Sequence, residues 1–165
     1  MRDGFDRSIR AQEEMVAGLL DQLGVDSASF VAHDIGGGVG LRYAVNRSDA
    51  VENLVLSNAV CYDSRPAEPV IDLALPGTAK ETSVEDGQEL VDGLFRGTLT
   101  DDADDEFVEG MKAPWESEEG VVSPSRNAVA TNTNHTTEID PEAVAARTLL
   151  LWGPNSSSWT TQTTG

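Results

Sequence analysis

The stretch that most constrains this chain is Phe30-Val31-Ala32-His33-Asp34-Ile35-Gly36-Gly37-Gly38, an apolar run that ends on an acid and passes directly into three glycines. A buried strand that turns sharply into a helix, with one reactive side chain at the bend, needs small neighbours on both sides. Ala32 and Gly36 stand two positions either side of Asp34, and Gly37 is small enough to let the helix approach the strand. Such a bend forces its apex residue into a strained backbone conformation and exposes its side chain above the sheet. Asp34 is thereby the candidate nucleophile, and its place at a helix N-terminus is expected to favour the ionised form. The N–H of Ile35, the next residue, would supply half of an oxyanion hole.

The flanks of this bend read as a parallel α/β unit. A helix is predicted from Ile9 to Leu23, with Ser8 as N-cap, Gly24 as a left-handed C-terminal cap, and Val16, Leu19, Leu20 and Leu23 on one face. A strand follows over about Ala28–Ala32, then a helix over Val39–Asn46, then a second buried strand, Val51–Ser57. Helix, strand, tight turn, helix, strand is the repeat from which parallel sheets are built. Near the other end, Pro141 is predicted to start a short helix through Ala146, and Thr148–Trp152 a third buried strand.

Between these parts the pattern changes. Pro66, Pro69 and Pro76 interrupt it, and nine of the nineteen residues from Asp101 to Glu119 are acidic, with short amphipathic pieces at Gly87–Leu94 and Glu106–Met111. A charged helical insertion between sheet strands suits a lid. The predicted layout is therefore an α/β core over 1–62, a helical cap or lid over 63–140, and a returning core strand with a frayed tail over 141–165. His135 is expected to be an exposed loop histidine within that lid.

Charge narrows the partners. Twenty-nine acids oppose eleven bases, a net charge of −18. Binding to nucleic acid or to an anionic membrane through this surface is disfavoured. Repulsion on this scale opposes compaction in dilute buffer and is screened within about 3 Å at ~1 M salt, so adaptation to a salt-rich cytoplasm is expected. Cys61 is the sole cysteine, which excludes an internal disulfide, and it reads as an inert buried thiol. The first fifteen residues hold no apolar signal-peptide core and no run approaches a membrane span, so a cytoplasmic location follows by default.

On these residues, Ser8–Pro66 and again Ala143–Gly153 resemble the α/β-hydrolase superfamily. The resemblance is closest to its aspartate-nucleophile branch, the haloalkane dehalogenases and epoxide hydrolases, where His-Asp-x-Gly-Gly occupies the bend. Leu54-Val55-Leu56-Ser57-Asn58 and Leu149-Leu150-Leu151-Trp152-Gly153 extend it. It implies a partial α/β-hydrolase fold with a parallel sheet, flanking helices and a helical lid, a small-molecule substrate, and neither cofactor nor metal. Chemistry would run through a covalent alkyl ester on Asp34, as a carboxylate can displace halide or open an epoxide. In such families the position of His33 is structural and lies near the oxyanion region.

The chain also departs from that pattern. Only seven residues precede Ser8, leaving no counterpart for the early strands or for the loop that gives the second oxyanion donor. Ile35 stands where the family often carries tryptophan, and an aliphatic side chain donates nothing to a departing halide. After Trp152 the sequence offers Pro154-Asn155-Ser156-Ser157 instead of the usual acid, which leaves Asp63, six residues beyond Ser57, as the reserve candidate. The family's catalytic histidine follows one further strand, so the resemblance implies an internal piece of a longer fold. Two alternatives remain open at this point: a remnant or binding module that keeps the bend only as a fold element, and an esterase-like relative.

Overall fold

The computed structural model describes residues 6–62, 68–75, 83–98, 104–115, 117–130 and 134–153. The chain divides into two compact units: one comprises Gly4–Ala67 with Ala130–Gly165, and the other contains Glu68–Val129. Residues 130–140, expected to belong to a lid, fall within the first of these units, and residues 134–137 pack on its helices.

In the first unit, helix α1 spans Ile9–Leu23. The Ser8 hydroxyl accepts from the Ala11 N–H at 3.2 Å, and Gly24 closes the helix at φ 66°, both as expected. The buried face differs from the expected one. Ile9, Glu13 and Ala17 are buried, with Val16 and Leu20 packed alongside, whereas Leu19 and Leu23 are 55% and 65% exposed. The reason is electrostatic. Arg42 and Asn46 of helix α2, Ile35–Asn46, and Arg47 just after it meet the Glu13 carboxylate, so the seam between the helices centres on a buried ion pair.

Strand β1 spans Ala28–His33 and β2 spans Val51–Ser57. They pair in parallel, from Ser29 opposite Asn53 to His33 opposite Ser57. Phe30 and Ala32 turn toward the helices, and the Phe30 ring meets Tyr43 of α2 with centroids 4.9 Å apart. Strand β3, Arg147–Leu151, pairs in parallel with β2, giving the sheet order β1-β2-β3. It begins one residue before the predicted strand. Its side chains are all exposed rather than buried, because β3 is an edge strand that no described element covers. Pro141 starts a single 3-10 turn ending at Ala143 in place of the longer helix; Asp140 caps it through the Glu142 N–H at 3.0 Å. Short helix α7, Asn134–Thr137, returns the chain to the core.

The core is aliphatic. Leu54 is fully buried among Ala32, Leu41, Ala44, Val51 and Leu56, and a second cluster joins Ile9, Val39 and Val60. Cys61 is half-buried against the larger cluster, not enclosed.

The second unit is helical: α3 Glu68–Leu73, α4 Val84–Thr98, α5 Asp105–Lys112 and α6 Glu118–Ala130. The pieces expected at Gly87–Leu94 and Glu106–Met111 are the middles of α4 and α5. Val91 and Val108 are buried there, and Lys112 of α5 reaches Asp92 of α4 at 2.7 Å.

Candidate functional site

Asp34 sits between the last residue of β1 and the first of α2, at φ 49° and ψ −124°. A non-glycine residue in that region is strained and persists only where its surroundings fix it. Here both of its backbone groups are held. Its N–H donates to the Ser57 carbonyl at 3.3 Å, which continues the β1–β2 ladder past its end. Its own carbonyl accepts from Val60 at 3.0 Å and from Gly37 at 2.9 Å. Val60 is fully buried against Ile9 and Val39, so the loop after β2 is itself fixed. The helix consequently begins at Ile35, four residues earlier than the sequence predicts, since the whole turn is made at one residue.

Of the small residues around the bend, Gly37 permits a close approach as expected, whereas Gly36 does not constrain the bend. A Cβ placed on Gly36 would meet nothing within 4 Å, so the space there is open. The tight contact is at Gly37, where a Cβ would lie 2.2 Å from the Ala59 Cβ. Ala32 is small because Gly40 of α2 crosses it; a Cβ on Gly40 would stand 3.1 Å from the Ala32 Cβ. The glycines thus serve the approach of α2 to β1 and to the loop after β2. Ala59 lies outside the motif, and the signal for it in the sequence is a small residue two positions past the end of a buried strand.

The Asp34 side chain makes no capping bond to α2. Capping, the simplest structural reason for an acid here, is therefore absent. Partial burial raises the carboxyl above its usual range, while nearby His33 and the Ile35 N–H pull it back less strongly. The helix terminus does favour the anion as expected, but desolvation outweighs it. Ile35 is half-buried against the Ile9–Val39–Val60 cluster and lies at the first helical position, where an N–H has no intrahelical partner.

His33 is exposed at the end of β1, with Nδ1 3.4 Å from the Ser57 hydroxyl. His135 differs from expectation: it lies on α7 in the core unit, half-buried, and its Nδ1 accepts from the Arg10 N–H at 3.4 Å. Asp63 lies outside the described residues. A cleft of about 410 Å³ in this unit, lined by Asp21, Tyr43 and Arg47 among others, belongs to the segments that precede β1 and β2, away from Asp34. Among the described residues no group of three or more His, Cys, Asp and Glu side chains could hold a metal ion, and no helix is long and apolar enough to cross a membrane.

Comparison with known proteins agrees with this geometry. The family model described as the alpha/beta hydrolase fold matches residues 5–103. An alpha/beta hydrolase fold protein from Burkholderia ambifaria superposes with a TM-score of 0.82 at 21% identity, covering 95% of this chain and 59% of that one. Haloalkane dehalogenase DbeA from Bradyrhizobium elkani gives 0.68 at 19% identity, covering 92% and 58%. The epoxide hydrolase CorEH gives 0.63 at 15% identity, covering 93% and 61%. The chain thus spans about three-fifths of the length of these structures, and at such identities the likeness is one of fold. No curated protein matches in sequence. Strand order, the strained apex at Asp34 and the family match lead to one statement: the chain belongs to the alpha/beta hydrolase fold family.

Proposed function

We propose that this chain carries the nucleophile of a hydrolase for small uncharged organic substrates, with Asp34 attacking a saturated carbon, and that epoxides suit it better than haloalkanes. The observation that carries this reading is the Asp34 backbone at φ 49° and ψ −124°, held through both its N–H and its carbonyl while its side chain makes no capping bond to the helix. That arrangement uses stabilisation elsewhere to keep a carboxylate at a bend, which a purely structural residue would not need.

In the proposed reaction a carboxylate oxygen of Asp34 bonds to a ring carbon, the carbon–oxygen bond of the epoxide breaks, and the ring oxygen takes a proton from water. Water then adds to the carbonyl of the resulting ester, and the Ile35 N–H donates to the oxyanion that forms. The diol leaves as Asp34 is regenerated. His33 borders this site on the sheet side, and Asp63 remains the candidate acid. The Ile35 side chain offers no hydrogen bond to a leaving halide, which is why epoxides are favoured. Among the described residues neither histidine is hydrogen-bonded to Asp34, since His33 Nδ1 stands 3.4 Å from the Ser57 hydroxyl and His135 Nδ1, on α7, accepts from the Arg10 N–H, so no base is seen held over the Asp34 carboxylate. The ester is therefore expected to outlive its formation and to accumulate in this chain.

The test is intact-mass measurement after incubation with phenyl glycidyl ether. One equivalent of added mass is expected, with none in Asp34→Asn. Equal labelling of that variant removes Asp34 as the nucleophile. The net charge of −18 further supports a salt-rich working environment, with screening replacing self-repulsion.

A further inference from the structure

The residue after β2 is Asn58, which has φ 39°, a left-handed conformation that asparagine tolerates better than most residues. Glycine would adopt it more easily, so the choice of asparagine requires a reason in the side chain. The structure supplies one. The Asn58 Oδ1 accepts from the Gly153 N–H at 3.4 Å, and the Asn58 N–H donates to the Leu151 carbonyl at 3.0 Å. Side chain and backbone together grip the end of β3 on both sides of Trp152.

The same short loop holds the apex. Ser57, just before Asn58, accepts from the Asp34 N–H. Val60, two residues after it, donates to the Asp34 carbonyl. Ala59 between them sits where a Cβ on Gly37 would collide with it. A continuous path therefore runs from the end of β3 through Asn58 to both backbone groups of Asp34. No link in that path is made by a side chain other than that of Asn58.

We propose that Asn58 is a positioning residue for Asp34: it fastens the end of β3 to the loop that holds the apex, and so keeps the carboxylate fixed at the C-terminal edge of the sheet. Its effect on chemistry rests on the reading of Asp34 as nucleophile, whereas its effect on the environment of Asp34 does not. Both are therefore measured. The Asp34 carboxyl is titrated by carbon NMR, and the rate of its alkylation by phenyl glycidyl ether is followed across probe concentration, in the wild type, Asn58→Ala, Asn58→Gly and Asn58→Asp.

Asn58→Ala is expected to admit water to the apex and move the Asp34 midpoint down toward the ordinary carboxylate range, with neighbouring His33 left in place. It is also expected to slow alkylation on the order of tenfold at an unaltered half-saturating concentration. Asn58→Gly, which keeps the left-handed backbone and so separates misfolding from loss of the side chain, should shift both in the same direction by less. Asn58→Asp keeps an acceptor for Gly153 and should restore the alkylation rate to within about twofold. Wild-type titration in both Asn58→Ala and Asn58→Gly overturns the proposal, whatever the alkylation shows. A shifted midpoint in a chain whose wild type is never alkylated at Asp34 leaves the positioning role standing and sinks the hydrolase reading instead.

Discussion

Residues 8–60 and residues 84–112 both contain well-formed, capped helices, yet they are held by different means. In the first region the decisive charges are inside. Glu13 is 3% exposed, and its carboxylate is met by Arg42 at 3.1 Å, by Asn46 at 3.0 Å and by Arg47. Arg42 continues to Glu138 at 3.1 Å and to the His135 carbonyl, which ties α7 to the same seam. In the second region the charges are at the surface. Arg96 reaches Asp92 at 3.1 Å and Asp105 at 3.5 Å, and among the described residues of α4 and α5 only Gly87, Val91 and Val108 are buried. Of the net −18, the segment 68–129 carries sixteen acids against four bases, or −12. The lesson is that one chain uses charge in two ways: as a buried fastener where the bend must be rigid, and as a solvated coat where it need not be.

The largest effect that could break this comparison comes from removing a single charge. Glu13→Gln removes the buried charge that faces Arg42, Asn46 and Arg47, leaving Arg42 only the more exposed Glu138 as a charged partner, and is expected to cost about 3–5 kcal/mol. Asp92→Asn in the helical unit is expected to cost ~1 kcal/mol or less. Urea unfolding measures both, and equal losses would erase the distinction.

Next come the glycines of the bend. Gly37→Ala drives a methyl into Ala59 and is expected to cost about 1–3 kcal/mol. Gly36→Ala, placed in open space on a helix, is expected to be neutral or stabilising by up to ~1 kcal/mol. A reversal of that order would mean that the close approach lies at residue 36 and not at residue 37.

A similar magnitude with the opposite sign is expected at the apex. Asp34→Gly releases the strain and should stabilise the fold by about 1–3 kcal/mol while abolishing any alkylation. The pH dependence follows from the raised carboxyl. Asp34 ionises at higher pH in the folded chain than in the unfolded one, so its contribution to stability falls as pH rises from 3.8 through the folded midpoint and stays low above it. The stability difference between the wild type and Asp34→Asn should therefore widen in favour of the variant over that window and then level. Glu138, held below its usual range mainly by its hydrogen bonds from Arg10, acts in the opposite direction in both proteins and cancels in the difference.

The smallest effect per residue is that of salt. Raising KCl from dilute buffer to ~1 M should increase hydrogen-exchange protection in 84–112 more than in 28–57, because screening relieves repulsion where acids crowd. Equal gains in both regions would argue against a salt-adapted helical unit.

How much of this was legible beforehand follows from the range of the interactions. Ser8, Gly24, the limits of α1 and β2, and the apex at Asp34 were all readable, because caps, left-handed glycines and sharp bends are encoded within a few residues. Glu13 was not. Its burial depends on arginines in another helix, about thirty positions along the chain, and an isolated acid on an otherwise amphipathic helix resembles a surface residue. The exposure of β3 was missed for the same reason, since Leu149-Leu150-Leu151 reads as core whatever lies over it. The role of Ala59 required knowing which backbone crosses Gly37. The raised ionisation midpoint of Asp34 required weighing desolvation against a helix terminus, and sequence states only the second.

The central claim is that a carboxylate at a fixed bend is the reactive group of this chain, and peptide-level mass spectrometry of the epoxide-treated protein tests it most directly. The account expects the label on the peptide that contains Asp34, in preference to Cys61 and to the other twenty-eight acids. It also expects labelling to speed up as the Asp34 carboxyl ionises. A label spread among exposed acids, or confined to Cys61 with Asp34 unmodified, would contradict it.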